Sequence, residues 1–293
     1  MRSLESKPDV VIVGAGIAGS TLAISLAGSG HGVTLLEKSA VHVDRVRGEF
    51  IVPWGVAEAK TLGILDVLES AGGNYTVRSI PYGEEFSPED ARKYPFPMDQ
   101  MVPGVRGAMN LGHPRICNAL NAAAMAAGAT LLRGVGRIQV SAGLPPRIEF
   151  THSGLNYTLS PRIVIGADGR GSTVARQVGF ERLADPIHHI LSGLLVDDVS
   201  AWPHDEQSIG VDATLDFIFF LKATEESAFT PLTVSINATG SQAMALRKDS
   251  CRPLTGRRFR TAVRFRRPGR RVPAMATPTM TSGSTTPWFP VSS

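Results

Sequence analysis

The stretch Asp9–Lys38 reads DVVIVGAGIAGSTLAISLAGSGHGVTLLEK, and it decides the fold. Val10–Val13 is a short apolar, β-branched run, the pattern of a buried parallel strand. Gly14, Gly16 and Gly19 follow at GxGxxG spacing, then an uncharged helical stretch to about Ala27 that Gly28, Ser29 and Gly30 bring to a stop. Val33–Leu36 reads as a second strand, ending on Glu37-Lys38. Gly14 allows a tight turn out of the first strand, Gly16 lets a pyrophosphate approach backbone that carries no Cβ, and Gly19 lets the helix pack closely. The helix N-terminus, with Ile17 and Ala18 in its first turn, offers unpaired N–H groups and a positive dipole end. Glu37, 18 residues beyond Gly19, is placed to accept hydrogen bonds from a ribose diol. Strand, glycines, helix, second strand and terminal acid in this order predict a dinucleotide-binding unit.

Two other readings of the same stretch fail on composition. Val10–Gly30 is uncharged and long enough to span a bilayer, but its glycines, serines and threonine do not suit a lipid-facing helix. Glu5 and Asp9 stand where a secretory signal would carry positive charge. With 293 residues, 43% of them hydrophobic, the chain has material for one large or two modest globular domains. Cys117 and Cys251 make neither a disulfide framework nor a metal spacing, which suits a reducing, cytoplasmic setting. The net charge of +4 is unevenly held: residues 1–246 carry 19 basic and 25 acidic residues, residues 247–293 carry 11 basic and one acidic. The body therefore reads as an ordinary acidic enzyme, and the basic character belongs to the tail.

Further along, Pro53 opens a helix over Trp54–Leu62, a second covers Ile64–Ser70, and a third spans Gly112–Ala127, with Ile116, Leu120, Ala123 and Ala124 on one face. Residues 76–104, with five prolines, read as strand and loop crossing into a second domain. Thr130–Arg133, Arg137–Val140 and Ile148–Thr151 read as a three-stranded meander. The run from Arg162 to Ser172 reads as a second buried strand entering a helix. That places Asp168-Gly169 at the strand's C-terminal end, the edge where open α/β sheets bind ligands. The plainer alternative for Asp168-Gly169 is a strand-to-helix turn with Ser172 as N-cap. Ile187–Val196, Leu215–Leu221 and Leu232–Ile236 alternate with polar breaks, as in an antiparallel sheet.

On GAGIAG with Glu37, on Arg47 in Arg47-Gly48-Glu49-Phe50, and on Gly166-Ala167-Asp168-Gly169, the chain resembles the FAD-dependent aromatic-ring monooxygenases. These are the class A flavoprotein hydroxylases typified by para-hydroxybenzoate hydroxylase, and the resemblance covers roughly residues 8–240. It implies an α/β, FAD/NAD(P)-binding Rossmann-like domain (residues 1–75 and 105–181) with an antiparallel-sheet substrate domain (76–104 and 182–246), C-terminally incomplete. It also implies FAD as cofactor, NAD(P)H as reductant, and hydroxylation of a small aromatic or polyketide-like substrate with O2. The flavin carries that chemistry, so no triad, metal cluster or paired carboxylates are needed. By the resemblance the cofactor-binding residues are Gly14, Gly16, Ile17, Ala18, Gly19, Glu37, Lys38, Arg47, His113, Arg115, Asp168 and Gly169. Arg47 read alone is equally a surface arginine, and His113 and Arg115 equally serve as helix-start residues. His188-His189 lies in a strand-like run where one ring faces in and one out, so no metal role is assigned.

The family's third signature, Gly-Asp-Ala-Ala with a following Pro and Gly-x-Gly, does not occur in this sequence. From Arg247 the composition shifts to arginine and then to uncharged Thr, Ser and Pro. Two explanations stand for residues 247–293. One is a change of reading frame, since GC-rich codons for Met275–Ser293 also read, one base back, as an acidic stretch. The other is a basic tail that binds nucleic acid or an anionic surface, although no known module fits and no nucleic-acid partner is expected. Without the third signature, weak FAD retention and low stability are expected. The alternative functions are an FAD-dependent halogenase or reductase, and a non-catalytic remnant or binding protein.

Overall fold

A computed structural model describes residues 8–43, 50–83, 87–185 and 202–210, together with the strands His189–Asp197, Phe217–Lys222, Ser227–Ser235 and Phe259–Arg260. Arg47 and Glu49, His188, and residues 247–293 apart from that last short strand lie outside the described residues.

The chain begins with β1 (Val10–Val13), α1 (Ile17–Gly28) and β2 (Val33–Glu37). Next come β3 (Phe50–Ile51), α2 (Pro53–Thr61), α3 (Leu65–Ser70), β4 (Asn74–Thr76), β5 (Arg78–Tyr82), α4 (Pro88–Lys93), β6 (Phe96–Pro97) and β7 (Ala108–Asn110). The middle of the chain forms α5 (His113–Ala126), β8 (Thr130–Arg133), β9 (Gly136–Ser141), β10 (Arg147–His152), β11 (Leu155–Leu159), β12 (Ile163–Gly166) and α6 (Thr173–Gln177). It closes with β13 (His189–Asp197), β14 (Glu206–Gly210), β15 (Phe217–Lys222), β16 (Ser227–Ser235) and β17 (Phe259–Arg260).

The organising sheet is parallel, in the order β12-β1-β2-β8. Alternate side chains of β1 leave on opposite faces, and both faces are covered. Val10 and Ile12, with Val33 and Leu35 of β2, pack against Ala23 and Ala27 of α1 and Ala124 of α5. Val11 and Val13, with Leu36, pack against Val140, Ile148, Phe150 and Leu159 of an antiparallel meander, β9-β10-β11. Two-sided burial explains why β1 is apolar throughout rather than alternating. The small residues Gly19, Ala23 and Ala27 bring α1 close to the sheet.

Two sequence expectations are corrected here. Thr130–Arg133 is not part of the meander: as β8 it pairs parallel with β2, and Leu155–Leu159 takes the third meander position. A four-residue strand such as Thr130–Arg133 looks alike in either setting, because its partner is set by chain return and not by composition. The strand before Asp168, expected to be buried, is the edge strand β12, with Ile163 54% exposed. A cavity of about 380 Å³, lined by Leu144, Ile163, Val164, Val174 and Phe180 among others, lies beside it.

The second large sheet runs β17-β13-β16-β15-β14-β5-β6. It is antiparallel except where β5 runs parallel to β14. The Arg78–Asp205 ion pair (2.9 Å) and the bond from Asn74 Nδ2 to the His204 carbonyl (2.7 Å) tie residues 74–78 to residues 204–205. α4, which the proline-rich stretch concealed, starts on a Ser87 N-cap that accepts from the Asp90 amide, with Pro88 in its first turn.

Candidate cofactor site

The site is built from strand tips. Gly14 ends β1 with φ +104°, a conformation that favours glycine, and a Cβ there would collide with the Ala167 carbonyl and the Asp168 backbone. A Cβ on Gly19 would collide with the Gly14 carbonyl oxygen. The two sequence motifs, about 150 residues apart, therefore touch: Ala167 also donates its N–H to the Val13 carbonyl (2.7 Å). Gly16 differs from both, because a Cβ on it would meet nothing within 4 Å. Its backbone faces open space.

Gly16 is also the N-cap of α1. No side chain caps that end, no acid lies in its first turn, and Ile17 and Ala18 are exposed. The N–H groups of a first helical turn have no acceptor within the helix. An uncapped, acid-free N-terminus beside a glycine that leaves room above the backbone fits a diphosphate. On that ground the residues present fit the adenine-nucleotide half of a dinucleotide.

Glu37 stands at the tip of β2. Its Oε2 accepts from the Ala15 amide (2.9 Å) and its Oε1 from the Ser39 amide (2.8 Å). The acid is thus anchored to the glycine turn itself, and an ionised carboxylate keeps further lone pairs for a ribose hydroxyl. Lys38, next in the chain, is exposed.

Asp168 follows the tip of β12, one strand over from β1. Its Oδ1 accepts from Ser172 Oγ (2.5 Å), and its Oδ2 accepts from the amides of Thr173 (2.6 Å) and Val174 (3.3 Å). Ser172 Oγ accepts in turn from the Ala175 amide (3.0 Å). The strand-to-helix cap weighed as the plainer reading of Asp168 is therefore present. Gly169 has φ +81° and open space around it.

His113 and Arg115 open α5 and diverge. The His113 ring meets the His42 ring edge-on at 6.4 Å and lies 3.6 Å from the buried Cys117 Sγ. Arg115 is exposed and reaches toward Gly72, just beyond α3. His42 sits among Glu37, Asn121 and Arg133; burial first, then the Arg133 charge, holds its pKa below the ordinary 6.5.

Sequence reasoning missed four residues of this neighbourhood: Ser20, His42, Asn121 and Arg133. Asn121 Nδ2 donates to the Ala15 carbonyl (2.9 Å) and to Ser20 Oγ (2.7 Å), and its Oδ1 accepts from Arg133. A signal existed. Asn121 is the one polar residue among the buried positions Ile116, Cys117, Leu120, Asn121 and Ala124 of α5, and a buried amide needs partners. Among the described residues, no group of His, Cys, Asp and Glu could hold a metal ion, and no helix is long and apolar enough to cross a membrane.

A family model described as FAD binding domain matches residues 7–237. Squalene monooxygenase of Mus musculus is 32% identical over 124 residues, 42% of this chain and 21% of that protein. A flavoprotein/dehydrogenase from Cytophaga hutchinsonii superposes with TM-score 0.67 at 18% identity, covering 78% of this chain and 56% of that one. For p-nitrophenol 4-monooxygenase from Pseudomonas putida the TM-score is 0.67 at 15% identity, covering 82% and 60%. The chain spans about a fifth of the length of the mouse relative and under two thirds of these two structures. At these identities the structures speak to the fold.

Proposed function

The chain belongs to the FAD binding domain family, and we propose on that footing that it serves as the cofactor-binding part of an FAD-dependent monooxygenase. The reductant is NAD(P)H and the substrate a small aromatic or polyketide-like molecule. One observation carries this reading: the glycine turn after β1, Asp168 after β12 and Glu37 at the end of β2 gather at one edge of one parallel sheet. That is the edge at which open α/β sheets hold nucleotides. The likeness to squalene monooxygenase supports the same reaction class, oxygen transfer to a small organic molecule.

The chain's own residues bind and orient. Gly16, Ile17, Ala18 and Gly19 present main-chain amides to the diphosphate, while Gly14 sets the turn that aims them. Glu37 holds the adenosine ribose, and Lys38 adds positive charge beside it. Asp168 caps α6 with three of the roughly four acceptor sites of a carboxylate, leaving capacity for one cofactor hydroxyl near Gly169. Arg47, His113 and Arg115 are assigned to the cofactor by resemblance. FAD held by these residues would supply the redox and oxygen chemistry of the reaction, with NAD(P)H as the reductant.

The test is titration of the full chain with FAD, followed by quenching of flavin fluorescence and by absorbance after desalting. The expected result is saturable binding that ADP displaces, with most of the yellow colour lost on desalting. Absence of quenching at millimolar protein, or binding that ADP leaves untouched, would overturn the assignment.

A further inference from the structure

The geometry points to a positioning role for Asn121: held by Arg133, it turns the Gly16 N–H toward the diphosphate of the bound dinucleotide. This rests on the FAD reading above, but the clamp itself is built from protein atoms alone.

Asn121 is 2% exposed and Ser20 fully buried. The Asn121 amide group donates to the Ala15 carbonyl and to Ser20 Oγ, and Ser20 Oγ donates to the same carbonyl (3.1 Å). Arg133 donates to Asn121 Oδ1 and also to Asn118 Oδ1 (3.3 Å). A guanidinium only donates. The oxygen of Asn121 must therefore face Arg133, and its NH2 must face Ala15.

Peptide planarity carries the argument to the ligand side. The Ala15–Gly16 bond is trans, so the Ala15 carbonyl and the Gly16 N–H point in opposite directions. Two donors draw that carbonyl inward toward α5, which sends the Gly16 N–H outward to the side where nothing lies within 4 Å of a Cβ. The preceding peptide is fixed the same way. Glu37 draws the Ala15 N–H, and the Gly14 carbonyl is sent against Gly19, where only glycine fits. Each of the two successive peptides is thus held by a side chain from a distant element, α5 for one and β2 for the other.

The test uses the full chain labelled with 15N-glycine, with the Gly16 resonance identified by its loss in Gly16→Ala. Asn121→Asp keeps size and still pairs with Arg133, but it has no donor for the Ala15 carbonyl. Arg133→Met, at a half-buried strand tip whose side chain bonds Asn118 and Asn121 but not the turn itself, frees Asn121 without touching Ala15. Without any ligand, both substitutions are expected to displace the Gly16 amide resonance while circular dichroism stays that of the wild type. FAD affinity is expected to fall roughly tenfold in Asn121→Asp, the effect of losing one well-aimed hydrogen bond to an anion, and by less in Arg133→Met. A Gly16 resonance unmoved by both substitutions overturns the clamp. A moved resonance with unchanged FAD affinity overturns its role toward the diphosphate. A wild-type chain that binds no FAD, with Gly16 moved by both substitutions, sinks the cofactor reading and leaves the clamp standing.

Discussion

Two neighbouring strand tips carry strand-to-helix turns built to opposite plans. After β1 the chain enters a twelve-residue helix through glycines, and the helix end has neither cap nor acid. After β12 it enters a five-residue helix through Asp168 and Ser172, which between them accept from three helix amides. The first turn leaves its donors facing outward and draws its own support from behind, through Glu37 and Asn121. The second satisfies itself. An N-terminus left bare in an otherwise well-packed sheet is a place for an external anion, whereas a capped one is a structural joint. On the proposed function the phosphate grip falls to β1–α1, and the β12 turn forms the wall against which the glycine turn is packed.

The contrast is broken most directly at the glycines. Gly19→Ala puts a Cβ into the Gly14 carbonyl and is expected to cost about 3 kcal/mol of stability, near the upper end for overpacking, read as a lowered denaturant midpoint. Gly16→Ala, three residues earlier, has open space and is expected to leave that midpoint within about 0.5 kcal/mol, as for an ordinary surface change. Its FAD affinity should nevertheless fall at least tenfold, about 1.4 kcal/mol. If the two substitutions behave alike, the division between packing glycine and binding glycine is wrong.

A smaller effect tests the other turn. Asp168→Ala removes the carboxylate that caps α6 and is expected to destabilise by about 1 kcal/mol, the usual worth of a cap. If Asp168 also holds a cofactor hydroxyl, FAD affinity falls with it, whereas Ser172→Ala, which loses the bond from the Ala175 amide and the bond to Asp168 Oδ1 but keeps the carboxylate and its bonds from Thr173 and Val174, lowers stability alone. Equal losses of FAD affinity in both would reduce Asp168 to its structural part.

The smallest effect is that of pH on His42. Burial and Arg133 hold its pKa below 6.5 in the folded chain, so below that pH the unfolded state binds more protons than the folded one. Its contribution to stability is complete above pH 6.5 and is lost as pH falls through and below that value. The melting temperature is expected to decline over that window in the wild-type chain, and His42→Gln should flatten the decline. A slope that persists unchanged would place its origin in other groups.

The β1–α1–β2 unit was legible because its signals are local: an apolar run, three glycines at fixed spacing and an acid at the next strand's end. The expected tasks of Gly14 and Gly19 correspond to a left-handed φ and a close approach to the Gly14 carbonyl. α2, α3 and α5 were legible for the same reason, through Pro53 and the periodic apolar face of residues 116–124. β8 was misplaced and β11 and β14 were overlooked, because strand partners depend on how the chain returns and because Glu206–Gly210 carries little apolar signal. At Asp168-Gly169 the plainer alternative, a turn with Ser172 as N-cap, is present, but neither reading foresaw that the Asp168 carboxylate accepts from Ser172, Thr173 and Val174, since those bonds exist only once the turn has closed.

By itself the sequence determined that a parallel strand gives way, at Gly14–Gly19, to a helix whose first turn is free of side-chain caps, since that depends on conformational freedom within a few residues. Only the tertiary structure decided which way the peptides of that turn face. Their orientation is held by Glu37, 22 residues from Ala15, and Asn121, 106 residues away. A hydrogen bond between groups so far apart in the chain exists only once the sheet and the helix behind it have packed.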